Sequence, residues 1–164
     1  CEPSCLSAIK DDWLRLKLSV QTEQLRRLAE VSFLPEEFID RKWESHPRRA
    51  AFKQSPPKSV LLHAHCHQKA LWGAETSARL LRRVFGDRLK VLDTGCCGMA
   101  GSFGYTADRY ELSMKIGELS LFPALRESPD AVVVAPGTSC RHQIHNGVGQ
   151  RALHPMELIA SMLA

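Results

Sequence analysis

The sequence has no apolar run approaching the ~20 residues that a membrane-spanning helix requires, which excludes such a helix within it. It has no basic-then-apolar leader: it opens Cys1-Glu2-Pro3-Ser4-Cys5 without an initiator Met, and the expectation is a fragment of a longer polypeptide. A basic cluster is also missing. The 22 Lys and Arg against 18 Asp and Glu leave a net +4 that is spread along the chain, too diffuse for a nucleic-acid face. The densest stretch, Pro47 to Lys58 with Arg48, Arg49, Lys53 and Lys58 among prolines, reads as a solvated linker rather than a phosphate-binding patch. Neither the dinucleotide glycine fingerprint nor a Walker loop is present. What remains is 164 residues, 44% hydrophobic and 24% charged, with enough chain to bury a core.

Residues 6 to 45 carry helical spacing. Leu6, Ile9, Trp13 and Leu16 fall on one face, and Leu25, Leu28 and Val31 continue an apolar stripe. Pro35 suits the first turn of a further helix, with Glu36 and Glu37 near its positive end. The breaker cluster Gln54-Ser-Pro-Pro-Lys58 divides a helical segment, residues 1–57, from an α/β domain, residues 58–164. In the second part, short apolar runs at 59–63, 89–92 and 131–135 alternate with helical patterns. The first of these spans Gln68 to Phe85, with Leu71, Ala74, Ala78 and Leu81 on one face and Gly86 as its stop. The next runs from about Thr106 with Leu112, Ile116 and Leu119 inward, Pro123 kinking or restarting it; the last opens at Pro155 with Leu158, Ile159 and Leu163. The expected fold is α/β: a small open parallel sheet of about three to four strands flanked by helices, with an N-terminal helical segment. Sites in such sheets lie beyond the carboxyl ends of the strands.

Six cysteines stand at positions 1, 5, 66, 96, 97 and 140. Without an export leader, and with an adjacent pair among them, they point to metal or redox chemistry in a reducing, cytoplasmic setting rather than to a disulfide framework. Cys66 follows the first strand, Cys96 and Cys97 the second, and Cys140 the third, so the topology converges four thiols on one sheet edge. Four thiolates complete either an iron–sulfur or a zinc site.

These blocks resemble the cysteine-rich CCG domain. His63-Ala-His-Cys-His-Gln-Lys-Ala70, Gly95-Cys-Cys-Gly-Met-Ala-Gly-Ser-Phe-Gly-Tyr105 and Ala135-Pro-Gly-Thr-Ser-Cys-Arg-His-Gln-Ile144 are most similar to its FAD-linked oxidase group. The domain occurs in the B subunit of heterodisulfide reductase, the glycolate oxidase iron–sulfur subunit, the C subunit of anaerobic glycerol-3-phosphate dehydrogenase and large FAD-linked oxidoreductases. The resemblance implies a 4Fe-4S cluster and electron transfer. FAD would lie in another domain that oxidises a 2-hydroxy acid such as glycolate, lactate or hydroxyglutarate. Flavin-containing and ferredoxin-type domains or subunits are the implied partners, and any membrane association would come through the parent complex. The family carries tandem repeats that end in Cys-x-x-Cys. Glu2-Pro-Ser-Cys5 reads as the end of a preceding copy, aligning with Gly137-Thr-Ser-Cys140, with Glu2 and Gly137 in the places of the first cysteines. Members with the full pattern bind a noncubane cluster through five cysteines; this domain offers four.

The expected ligands are therefore Cys66, Cys96, Cys97 and Cys140, with Cys5 and, more weakly, Cys1. Zinc, which needs only four ligands, is the rival cofactor and would make the chain a structural or docking module. A thiol–disulfide enzyme acting through Cys96-Cys97 is a further alternative, disfavoured because no Cys-x-x-Cys opens a helix. His63, His65 and His67 alternate around Cys66, so in an extended segment they share the face opposite it. His65, His67 and His142 are expected as hydrogen-bond donors or cavity residues around the ligands. Gly98 and Gly101 would turn backbone amides toward sulfur, and Lys69 and Arg141 would offset the thiolate charge. His46, His145 and His154 read as ordinary surface or core histidines. No flavin fingerprint is present, so the chain is expected to belong to an oxidoreductase without being catalytically self-sufficient.

Overall fold

The computed structural model describes residues 2–48 and 50–164 and is α/β. Four strands, β1 (Val60–Leu62), β2 (Leu89–Val91), β3 (Val132–Val134) and β4 (Ala152–Leu153), form an all-parallel sheet in the order β2-β1-β3-β4. Val60 pairs with Leu89 on one side and Val132 on the other, and Val133 pairs with Ala152. All of β1 is buried, as a central parallel strand covered on both faces requires. Alternate residues serve opposite layers. Leu61 and Val133 pack with Leu121, Phe122, Leu125 and Ile144, whereas Val60, Leu62 and Val134 pack with Ala78, Leu81, Phe85, Leu158 and Ile159. Helices α7 (Ala107–Glu118), α8 (Leu121–Arg126) and α9 (Thr138–Val148) cover the first face, and α6 (Glu75–Phe85) and α10 (Pro155–Ser161) the second. From β1 the chain steps outward to β2 and then crosses back to β3 on the other side of β1. A switch point therefore lies at the carboxyl ends of β1 and β3.

The N-terminal segment comprises α1 (Pro3–Ser7), a π-helical turn (Ala8–Asp12), α2 (Trp13–Arg15), α3 (Thr22–Val31) and α4 (Pro35–Lys42). It buries Leu6, Leu25, Ala29 and Leu34. Its docking onto α6 is partly polar. Ser77 Oγ donates to Glu36 Oε1 at 2.5 Å, and Arg79 and Arg83 donate from Nε to the buried Asp40 carboxylate at 3.1 and 2.6 Å. Burial pushes the Glu36 carboxyl above the ordinary carboxylate range against the pull of the Ser77 bond. Short backbone bonds also tie Lys53 to Met162 and Ala164 to Ala51.

Several expectations need correction. The helix expected over Gln68 to Phe85 is two: α5 (Cys66–Leu71) begins at the cysteine, and Gly73, at φ +83, breaks the chain before α6. Leu71 is exposed as a result. In the N-terminal segment Leu16 is exposed just past the end of α2, and Leu28 and Val31 are exposed because α3 turns Leu25 and Ala29 inward instead. Leu112 and Leu119, expected inward, are 53% and 81% exposed. Helix α7 packs through its small face, Ser113 and Gly117, and a Cβ added at Gly117 would stand 2.4 Å from the Phe122 ring. So close an approach leaves no room for leucines on that side. Leu163 also lies at the surface.

A candidate cysteine site at the carboxyl edge of the sheet

The turns after β1, β2 and β3 meet at the switch point. After β1 the ladder extends one residue, His63 N–H donating to Val134 O at 2.9 Å, so His63 is fully buried and its Nδ1 pairs with Thr94 Oγ1 at 2.8 Å. His65 then caps α5: its Nδ1 accepts from His67 N–H at 3.2 Å, which leaves the proton of the neutral ring on Nε2. Burial holds its pKa below the ordinary histidine value. Because a helix starts at Cys66, the alternation expected for an extended segment does not apply. His65, Cys66 and His67 all line one cavity of about 270 Å³, together with Ser4, Cys96, Cys97, Ala100, Gly101 and Ser139.

Cys140, on the first turn of α9, is 1% exposed and backs this cavity from the core, in hydrogen-bonding contact with Cys97. The four thiols form a relay. Contact with Cys66 first, then with Cys97 and the Gly98 amide, lowers the Cys96 pKa to about 2. Cys140 is likewise pushed well down, by Cys97 first and by a hydrogen bond with the His63 ring, while Cys66 and Cys97 are pushed up, the one Cys97 proton serving Cys140 or Cys96 in alternation. The Gly98 N–H stands 3.3 Å from Cys96 Sγ and donates to it. Gly98 has φ +97, and a Cβ there would lie 2.1 Å from Ser113 O, so only glycine permits this turn.

The two cations do not point at the thiols. Lys69 Nζ donates to Thr94 O and, at 3.2 Å, to Gly95 O, fastening the loop that delivers Cys96 and Cys97. Arg141 donates to Ala135 O at 2.9 Å, Pro136 O at 2.8 Å and Thr138 Oγ1 at 3.0 Å, fastening the loop that delivers Cys140. His142 lies apart, on the outer side, with Nδ1 2.9 Å from Tyr105 OH. Cys5 is exposed on α1, whose Ser4 rather than Cys5 reaches the cavity. Cys1 lies outside the described residues.

Residue patterns did not reveal the contributions of α1. Ser7 Oγ pairs with His67 Nδ1 at 3.0 Å, and the Glu2 carboxylate accepts from Thr138 N–H and Oγ1. No local motif announces contacts between residues 60 and 136 positions apart. Gln143 was also missed: it is buried and donates to Ser113 O and Oγ, supporting the Gly98 turn from below.

Among the described residues, no group of three or more His, Cys, Asp or Glu side chains is arranged to hold a metal ion as it stands. The donor chemistry nevertheless fits a thiolate-bound group. The mutual contacts of the thiols favour loss of a proton at Cys96 and at Cys140, and the His63 ring is buried against Cys140.

Comparison with known proteins gives relatives along the whole chain. It is 32% identical over 161 residues, 98% of its length, to the C subunit of anaerobic glycerol-3-phosphate dehydrogenase from Escherichia coli K12, of which it spans 39%. It is 30% identical over 145 residues to D-2-hydroxyglutarate dehydrogenase of Pseudomonas putida KT2440, and 35% identical over 107 residues to that of E. coli K12, spanning 14% and 10% of those proteins. The chain is homologous to segments of oxidoreductases. It spans well under half the length of these curated relatives. No family model and no solved structure matches it. Among the described residues, no helix is long and apolar enough to cross a membrane.

Proposed function

We propose that the chain is the iron–sulfur-binding, electron-transfer domain of an FAD-linked oxidoreductase. The observation that carries this reading is the meeting of Cys66, Cys96 and Cys97 in one 270 Å³ cavity with Cys140 directly behind it. Cys66, Cys96, Cys97 and Cys140 would hold a 4Fe-4S cluster there, which would supply one-electron transfer. The chain's own residues do the rest. The four cysteines would supply thiolates, the Gly98 amide and the His63 ring stand against sulfur, and Lys69 and Arg141 fix the two ligand-bearing loops. His65 and His67 wall the cavity, and Ser4 brings α1 to it. Donors aimed at sulfur raise a reduction potential, so this shell favours accepting electrons from a flavin.

The sequence carries no flavin fingerprint, so substrate oxidation is assigned to another domain of the parent enzyme. The names of the relatives point to an alcohol flanked by an anionic group: a 2-hydroxy acid or a polyol phosphate. Flavin-containing and ferredoxin-type domains are the proposed partners, in the cytoplasm or at a membrane through the parent complex.

The deciding measurement is iron, zinc and acid-labile sulfide per chain on anaerobically prepared protein. Matching iron and sulfide with broad visible absorption are expected, and both are lost in Cys97→Ser. Zinc without sulfide would replace the electron-transfer role with a structural one, and normal iron in Cys97→Ser would sink the ligand assignment.

A further inference from the structure

We infer that Glu2 is a positioning residue of the cysteine site, holding the first turn of α9 and with it the Cys140 thiol. Its effect on a bound cluster rests on the reading above; its effect on Cys140 does not.

Helix α9 has no side-chain cap of its own, because its N-cap position is Gly137. A side chain cannot be supplied there. A Cβ on Gly137 would stand 2.4 Å from His65 Cδ2, 3.2 Å from Cys140 Sγ and 3.4 Å from Glu2 Oε1. The packing that brings His65 against Cys140 thus removes the usual source of a cap, and the first N–H groups of α9 need an acceptor from elsewhere. Glu2, 136 residues away, provides it. Its carboxylate accepts from Thr138 N–H at 2.9 and 3.2 Å and from Thr138 Oγ1 at 2.9 Å. The negative charge also suits the positive end of the helix.

Two features connect this cap to the site. Thr138 Oγ1, donating to Glu2, accepts from Arg141, whose other nitrogen grips the carbonyls of Ala135 and Pro136. Glu2 is thus one end of a hydrogen-bond chain through the whole loop that presents Cys140. The same short segment reaches the opposite wall, where Ser7 pairs with His67 and Ser4 lines the cavity. Residues 2–7 therefore span from α9 to α5, and Glu2 is their anchor on the Cys140 side.

The test compares wild type, Glu2→Ala and Glu2→Gln. In the reduced, metal-free chain, alkylation of each cysteine by iodoacetamide is followed by peptide mass spectrometry and normalised to the rate of the same cysteine in the urea-unfolded chain. Loss of the cap should accelerate Cys140 alkylation in Glu2→Ala by about fivefold, the population change expected when a typical N-cap is removed. Glu2→Gln, which keeps an acceptor oxygen, should stay within about threefold of wild type. After anaerobic reconstitution, Glu2→Ala should hold less iron per chain than Glu2→Gln.

An unchanged Cys140 rate in Glu2→Ala overturns the proposal, whatever the iron content. A wild type that takes up no iron, with Cys140 still opening in Glu2→Ala, overturns the cluster reading and leaves the positioning role standing. Should Glu2→Ala fail to fold, Glu2→Asp gives the same reading with a smaller opening, its shorter side chain unable to reach both Thr138 donors. An unchanged rate there overturns the proposal equally.

Discussion

Lys69 shows how much a side chain's identity leaves open. Its charge and its position beside the ligands are plain in the sequence, and both suggest a counter-charge for thiolates. A four-carbon stem can turn either way, however, and here the ammonium turns to the carbonyls of Thr94 and Gly95. Its role is mechanical: it holds the approach to Cys96 and Cys97, a loop otherwise tied by Gly95 N–H to Ser120 Oγ at 3.1 Å. Hydrogen bonds from a charged donor contribute roughly 1.5–3 kcal/mol, and partial exposure places this one near the lower end. Lys69→Met should therefore lower the stability of the metal-free chain by about 1–2 kcal/mol in urea and reduce iron uptake on reconstitution. Unchanged values for both would mean that Ser120 and the His63–Thr94 pair suffice. The cysteine positions were legible because spacing and strand order determine where they fall. The alternating histidines misled because alternation implies one face only in an extended segment, and α5 starts at Cys66.

At the scale of elements, the last helix was placed correctly from Pro155, yet its cap escaped notice. His154, an unusual capping residue, accepts from Met156 N–H at 3.2 Å, and Glu157 reaches back to the His154 N–H at 3.3 Å to complete a capping box. Accepting requires a neutral ring, and burial, then Arg141, holds the His154 pKa below its ordinary 6.5 against the opposing pull of Glu2 and Glu157. A base whose pKa is lower folded than unfolded binds fewer protons when folded. Its stabilising contribution is therefore complete above about pH 6.5 and declines as pH falls below it. Thermal unfolding of wild type and His154→Asn from about pH 7.5 to 5 should show wild type losing more stability on acidification, because Asn caps without titrating; parallel curves would refute this. His154→Ala should lower stability by about 1 kcal/mol at neutral pH. Helix α7 was misread for a different reason. Periodicity identifies faces but not which one is buried, and side-chain size suggested the leucines. Close packing favoured Ser113 and Gly117.

For the whole molecule, strand–helix alternation was enough to give a parallel sheet with its site beyond the carboxyl ends. It was not enough to show how the N-terminal helices sit on it. The acids of α4 look like complements to their own helix dipole. In the folded chain Glu36 and Asp40 are buried against α6, Asp40 between two arginines. Asp40→Ala should loosen α4 from α6 by roughly 1–3 kcal/mol, since Arg79 and Arg83 stay solvated and are not stranded. Hydrogen exchange should then rise in residues 35–42 while β1 and β3 stay protected. Uniform acceleration across both would show that the layers unfold as one.

The close approach at Phe122 extends beyond one helix pair. Its ring tip lies in a notch between two glycines, where a Cβ on Gly117 or on Gly147 would come within 2.4 and 2.1 Å. Gly117 belongs to α7 and Gly147 to α9, while Phe122 belongs to α8. A ring gripped from both sides turns over only when those two helices part. Ser113 of α7 packs directly against the Gly98 turn, and α9 carries Cys140. The flip of this one phenylalanine therefore keeps time for the opening of the layer on which half of the cysteine site is mounted.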